Sequence, residues 1–141
     1  MGCSDYPSPA YGEMSWFCCG SAWGPCGSTG GGACGTCNSG RHQCAWPHAS
    51  DACYNITQPN LCGHSLSLRG CGHTFYVTNQ CNGSCVSATV ADCGPNTHQF
   101  CGEQHCCGST CGTDRLIDLT PSAFSAIASL SAGLLPCRID S

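Results

Sequence analysis

The chain has 141 residues, of which 18 are cysteine and only 9% are charged, with a formal net charge of −4. Its basic residues are Arg41, Arg69, Arg115 and Arg138, with no lysine, which is too sparse to neutralise a run of phosphates or to hold an anionic bilayer. Nucleic acid and membrane surfaces are therefore excluded as partners, and no stretch approaches the ~18 apolar residues of a membrane span. An even, very high cysteine count points to a disulfide scaffold matured in an oxidising compartment, hence to a secreted, extracellular protein. Met1-Gly2-Cys3 is not followed by an apolar run, so no signal peptide is expected at this N-terminus.

In chain order, residues 1 to 60 read as loop. Glycines and prolines are scattered through them, Gly30-Gly31-Gly32 among them, and no run has helical or strand periodicity. Cys3, Cys18, Cys19, Cys26, Cys34, Cys37, Cys44 and Cys53 supply the constraint that a core would otherwise give. Cys18-Cys19 and Cys106-Cys107 are adjacent pairs, and adjacent residues rarely reach disulfide geometry, so each member is expected to bridge elsewhere. With every thiol paired there would be up to about nine bridges, their connectivity left open.

From residue 61 the pattern changes. Ser65 to Leu68 alternates polar and apolar, His73 to Thr78 and Val86 to Val90 are rich in β-formers, and Asn82-Gly83 between them marks a hairpin turn. Residues 93 to 114 read as a second Gly/Cys-rich loop, and Leu116 to Leu119 as a short strand. Thr120 is a good N-cap, Pro121 suits the first helical position, and Ala123, Phe124, Ile127 and Ala128 form an apolar stripe. The spacing predicts a helix that Gly133 ends, followed by a last strand over 134–139. The expected fold is mainly β: a small barrel with one packed helix, preceded by a stapled, loop-rich segment.

Several blocks resemble a known superfamily. Gly32-Ala33-Cys34-Gly35 resembles the opening of expansin domain 1, and Asn79 to Gly83 followed by Val86 to Pro95 resembles its middle blocks. Leu116-Ile117-Asp118-Leu119-Thr120-Pro121-Ser122-Ala123-Phe124 is similar to the block that closes that barrel. Expansins, loosenins, barwin-like proteins, family-45 endoglucanases and rare lipoprotein A lytic transglycosylases share this double-psi β-barrel. The resemblance implies a barrel domain over 32–141, with 1–31 as a Cys/Gly-rich extension.

It also implies where chemistry would sit. Cleaving a glycosidic bond needs a general acid, and inversion needs a base about 6.5–9.5 Å away. Asp118 matches the acid, or its relic, of expansins and family-45 enzymes, but Leu116 stands where those families carry histidine. No residue convincingly matches the endoglucanase base. Asp92, in Ala91-Asp92-Cys93-Gly94-Pro95, matches the catalytic aspartate of the lytic transglycosylases, with His64 as its partner and Cys93 in place of their arginine. The plain alternative for both aspartates is turn and helix-entry bonding to backbone N–H groups.

Trp16, Trp23, Trp46 and Tyr76 are candidate stacking surfaces for sugar rings, with core filling as the alternative. Cys34-x-x-Cys37 and His105-Cys106-Cys107-x-x-x-Cys111 have ligand-like spacings, but disulfide scaffolds produce these by chance, so no metal and no cofactor is expected. The expected function is non-hydrolytic binding or loosening of a wall polysaccharide: cellulose, chitin or peptidoglycan. The alternatives are lytic glycan cleavage by Asp92 and His64, or a self-associating matrix or filament protein favoured by weak charge repulsion.

Overall fold

Phe75, Val77, Val86, Ala88 and Val90 are buried, whereas Tyr76, Ser87 and Thr89 between them are not, the period-two pattern of a wall with one face on a core. The computed structural model describes residues 9–19, 29–32, 34–49, 66, 68–95 and 101–140. Within these residues the strands are β1 (Ala10–Trp16), β2 (Thr29–Gly32), β3 (Gly35–Asn38), β4 (Gln43–Trp46), β5 (Thr74–Asn79), β6 (Cys85–Cys93), β7 (Gln104–Cys107), β8 (Thr110–Thr113), β9 (Arg115–Leu119) and β10 (Leu134–Asp140). Six of them close a barrel in the order β1-β10-β5-β6-β4-β9, and β2-β3 and β7-β8 are separate hairpins. Closure leaves the barrel no open edge.

The loop reading of residues 1 to 60 is corrected by β1 to β4, two of which, β1 and β4, are barrel staves. The reason is burial on both faces. Gly12, Glu13, Met14 and Ser15 are all buried, because the β7-β8 hairpin packs outside β1 while the core lies inside it. A strand covered on both sides loses the alternation by which strands are recognised. β1 also lies ahead of the boundary expected at residue 32. Residues 93 to 114, read as loop, contain the β7-β8 hairpin.

Two neighbouring pairs in the barrel are parallel, β1 with β9 and β4 with β6, and the rest are antiparallel. Each parallel pair carries a one-residue irregularity, leaving Leu116 extra opposite Glu13–Met14 and Ala91 extra opposite Cys44–Ala45. A bulge re-aims the side chains that follow it. It takes Asp92 out of the inward phase of Val86, Ala88 and Val90, and lets Leu116 and Ile117 both be buried.

The helix α1 (Pro121–Ser125) is shorter than the stripe suggested. Thr120 caps it as expected, its hydroxyl accepting from the Ala123 amide at 3.4 Å. Carbonyls beyond it find partners other than a continuing helix. The Ile127 carbonyl accepts from the Asn79 and Asn82 side chains at 2.8 and 3.0 Å, and the Leu130 carbonyl accepts from the Trp16 ring N–H at 3.0 Å. Ser129 then caps a separate 3-10 turn, Leu130–Ala132, closed by Gly133 at φ 72°.

Disulfides join Cys19 to Cys37, Cys34 to Cys71, Cys81 to Cys107 and Cys106 to Cys111. The adjacent cysteines bridge to separate partners as expected. Full pairing does not hold: Cys44 and Cys137 are free and buried in the core, where they pack as small apolar side chains. Burial pushes both thiols well above the ordinary range.

Candidate functional site

Ala45 on β4 is the centre of the site. It pairs with Asp92 on β6 to one side and with Asp118 on β9 to the other. Strands are spaced ~4.8 Å, so the two aspartate backbones stand about 10 Å apart across Ala45. Neither aspartate shares a motif with the other in the sequence; the barrel order brings them together.

Asp118 is half-buried and accepts a hydrogen bond from the Ser15 hydroxyl on β1. Burial raises its pKa above the usual carboxylate value; Glu103 and Asp92 act in the same direction, while the Ser15 bond and Arg115 oppose them. Asp118 is thus biased toward its neutral, proton-carrying form. Above it lies Gly94, where a Cβ would stand 3.6 Å from Asp118 Oδ2 and 3.5 Å from the Ala45 Cβ. Gly94 has φ 145°, a conformation L side chains rarely adopt, so the backbone there requires glycine and presents no side chain to the carboxylate. On the neighbouring flank Phe17, Cys19, Cys37, Ala45 and Ala91 form a small apolar cluster outside the main core.

Asp92 is engaged differently. Its Oδ1 accepts the Cys93 backbone N–H at 2.8 Å, the turn-ordering role weighed for it from sequence.

The other candidates separate. Trp46 is buried, with its ring 4.5 Å from that of Phe75, so it fills the core and offers no face to a ligand. Tyr76 is half-buried on β5, three staves from β9 in either direction, on the far side of the barrel. Trp16 follows Ser15 on β1 and is half-buried, pairing with Leu119 beside Asp118. His64 and Trp23 lie outside the described residues.

Sequence reasoning missed Ser15, Ala45 and Gly94 as site residues. Ser15 and Ala45 fall in the stretch that reads as loop, and only Gly94, inside the Asp-Cys-Gly-Pro block, had a signal. The ligand-like cysteine spacings dissolve into disulfides: Cys34 and Cys37 go to different partners, and Cys106 bonds Cys111. Among the described residues no group of three His, Cys, Asp or Glu side chains could hold a metal.

No family model and no curated protein sequence matches the chain. Solved structures do. The expansin of Clavibacter michiganensis matches over 94% of this chain and 50% of its own, with TM-score 0.52 and 18% identity. The fold is a double-psi β-barrel. A mutant of that expansin in complex with cellohexaose matches with TM-score 0.51 at 18% identity and the same coverage, so the chain spans half the length of the expansin. A Streptomyces papain inhibitor matches with TM-score 0.53 at 20% identity, over 96% of both chains. The double-psi barrel accounts for both parallel pairs and for the meeting of β4, β6 and β9 at Ala45.

Proposed function

We propose that this is a secreted, expansin-like protein that binds a cell-wall polysaccharide without hydrolysing it. The observation that carries the reading is Asp118: a half-buried carboxyl biased toward its neutral form, hydrogen-bonded to Ser15, with no side chain on the neighbouring Gly94. A neutral acid donates a hydrogen bond to a sugar hydroxyl or ring oxygen, and its polar neighbours suit an uncharged ligand. Hydrolysis needs a second carboxylate to activate water. Asp92 stands across Ala45, but its Oδ1 is bonded to the Cys93 amide, which supports binding over cleavage. The cellohexaose complex of the similar expansin supports a β-glucan among the polysaccharides, and Trp16, next to Ser15, is the stacking residue nearest the site.

The test is co-sedimentation of the disulfide-bonded chain with insoluble cellulose, chitin and peptidoglycan, with the supernatant assayed for released sugars. Retention on one of them, lowered in Asp118→Ala, and no sugar release is the expected outcome. Release of reducing or anhydro-sugars would replace binding by cleavage, and retention on none would sink the reading.

A second reading rests on the match of equal extent to the papain inhibitor, which leaves no large unmatched part in either chain. A closed, disulfide-stapled barrel suits inhibition of a secreted cysteine protease. Papain titrated with the chain separates the two: unchanged turnover at micromolar protein removes this reading.

A further inference from the structure

Among the described residues two carboxylates are almost fully buried, Asp140 and Glu13. Asp140 is held by Arg138 through two hydrogen bonds of 3.0 and 3.2 Å. Glu13 has no such partner, and both of its carboxyl oxygens lack a hydrogen bond. Arg115 pairs with Glu13 in the β1-β9 register, but its guanidinium is bonded to Glu103 at 3.0 and 3.1 Å. The cover over Glu13 is the β7-β8 hairpin. A Cβ on Gly112 would meet the Gly12 carbonyl oxygen and, at 2.7 Å, Glu13 Cγ, so the β8 backbone lies flat on this side chain.

The charged and titratable groups facing Glu13 come from each element packed on it. β9 offers Arg115, the turn before β9 offers Asp114 and the segment before β7 offers Glu103, while the Cys137 thiol of β10 lies in the barrel core on the other face of the wall. β7 contributes the His105 backbone, near enough to favour the anion without completing a hydrogen bond. β8 contributes no ionisable group, Cys111 being disulfide-bonded. An ionised Glu13 would therefore sit dry, beside two other carboxylates and one arginine already engaged.

We propose that the β7-β8 hairpin is a pH-operated flap, seated on β1 while Glu13 is protonated and released as Glu13 ionises. Burial first, then the Glu103 carboxylate, pushes Glu13 up to about 7. With the flap open, Glu13 meets water and returns toward its ordinary 4.5. The closed state then binds the proton more tightly, so opening increases as pH climbs between these values, by up to about tenfold per unit, and levels above the higher one. The Cys81–Cys107 bridge tethers the hairpin and Cys106–Cys111 clamps it, so a released flap keeps its shape and can reseat. Glu13 and Ser15 lie two apart on one face of β1, so the flap covers the strand that carries the Asp118 donor. The flap itself does not depend on the polysaccharide reading.

Amide hydrogen exchange of the full disulfide-bonded chain at pH 5, 6, 7 and 8, each rate divided by the intrinsic rate at that pH, tests it. Protection of residues 104–113 should fall by up to about tenfold per unit from pH 5 to 7 and level by pH 8, and should stay well below that of the barrel stave β5 at every pH. In Glu13→Gln the hairpin should show one protection value at all four pH values. Flat hairpin protection in the unmutated chain, hairpin protection equal to that of β5, or the same fall in Glu13→Gln would overturn the flap. Should Glu13→Gln fail to fold, carbon NMR of the Glu13 carboxyl in the unmutated chain decides: a midpoint near 7 supports the flap and one near 4.5 overturns it.

Discussion

The Ser15 hydroxyl donates to Asp118 Oδ1 across the parallel β1-β9 pair, joining residues 103 positions apart in the chain. Because the bond favours the charged carboxylate, it opposes the effect of burial on Asp118. Ser15→Ala should therefore raise the Asp118 pKa further, read by carbon NMR of its carboxyl, and cost about 1–2 kcal/mol of stability where Asp118 is ionised. Asp118→Asn acts the other way. A carboxyl whose pKa is raised by folding gives its full stabilisation below the unfolded value and loses it as pH rises through the folded value. The asparagine does not titrate, so the variant should gain stability relative to the unmutated chain as pH rises above the ordinary carboxylate value in urea melts. A constant difference would refute this.

Thr120 ties the closing helix to β4. Its hydroxyl accepts from the Ala123 and Gln43 amides and donates to the Arg41 carbonyl, and the residue is fully buried. Thr120→Ala removes the cap and leaves the buried Ala123 amide without its partner, while the Arg41 carbonyl and Gln43 amide still bond each other, so it should cost about 1–2 kcal/mol in chemical denaturation. Thr120→Ser keeps the oxygen and should recover more than half of that. Equal losses in the two variants would mean that the methyl group, not the hydroxyl, holds the junction.

The C-terminal half of the barrel was legible because its strands are covered on one side. Thr74 to Thr78 and Val86 to Val90 alternate, Thr120-Pro121 announces a helix start, and Asp118 and Asp92 sit in recognisable blocks. β1 hid itself by burying Gly12 to Ser15 on both faces, and β4 has only four residues, so Ser15 and Ala45 could not be placed. The helix was overextended because the Ala123–Ala128 stripe is real burial, while the carbonyls of Ile127 and Leu130 are claimed by Asn79, Asn82 and Trp16, all distant in sequence. Composition spoke for complete pairing of the cysteines; two inward-facing positions on β4 and β10 escape it because the barrel wall separates them from the outer bridges.

Cys44 and Cys137 should be inert while the barrel is closed. Both are buried among apolar side chains, and the thiolate, which is the reactive form, is suppressed by that burial. Iodoacetamide at pH 8, followed by peptide mapping, should leave both unlabelled in the native chain and label both in guanidinium without reductant. Labelling of either in the native protein would show that the core opens on the experimental timescale.

Asn79 and Asn82 offer a comparison at one acceptor. Both side-chain amides donate to the Ile127 carbonyl, at 2.8 and 3.0 Å, and both side-chain oxygens accept a backbone amide two residues on, Cys81 and Ser84 respectively. They differ in burial: Asn79 is 1% exposed, whereas Asn82 is exposed at the turn. Water can replace what Asn82 loses but reaches little of what Asn79 loses. Asn79→Ala should therefore cost about 2–3 kcal/mol and Asn82→Ala under about 1 kcal/mol, measured by urea unfolding with disulfides intact. In each single variant the Ile127 carbonyl keeps one donor; in the double variant it keeps neither. The double variant should thus lose more than the two singles together, by roughly 1 kcal/mol. Strict additivity would mean that water already reaches this carbonyl and that the break after α1 is set by Ser129 and Gly133 alone.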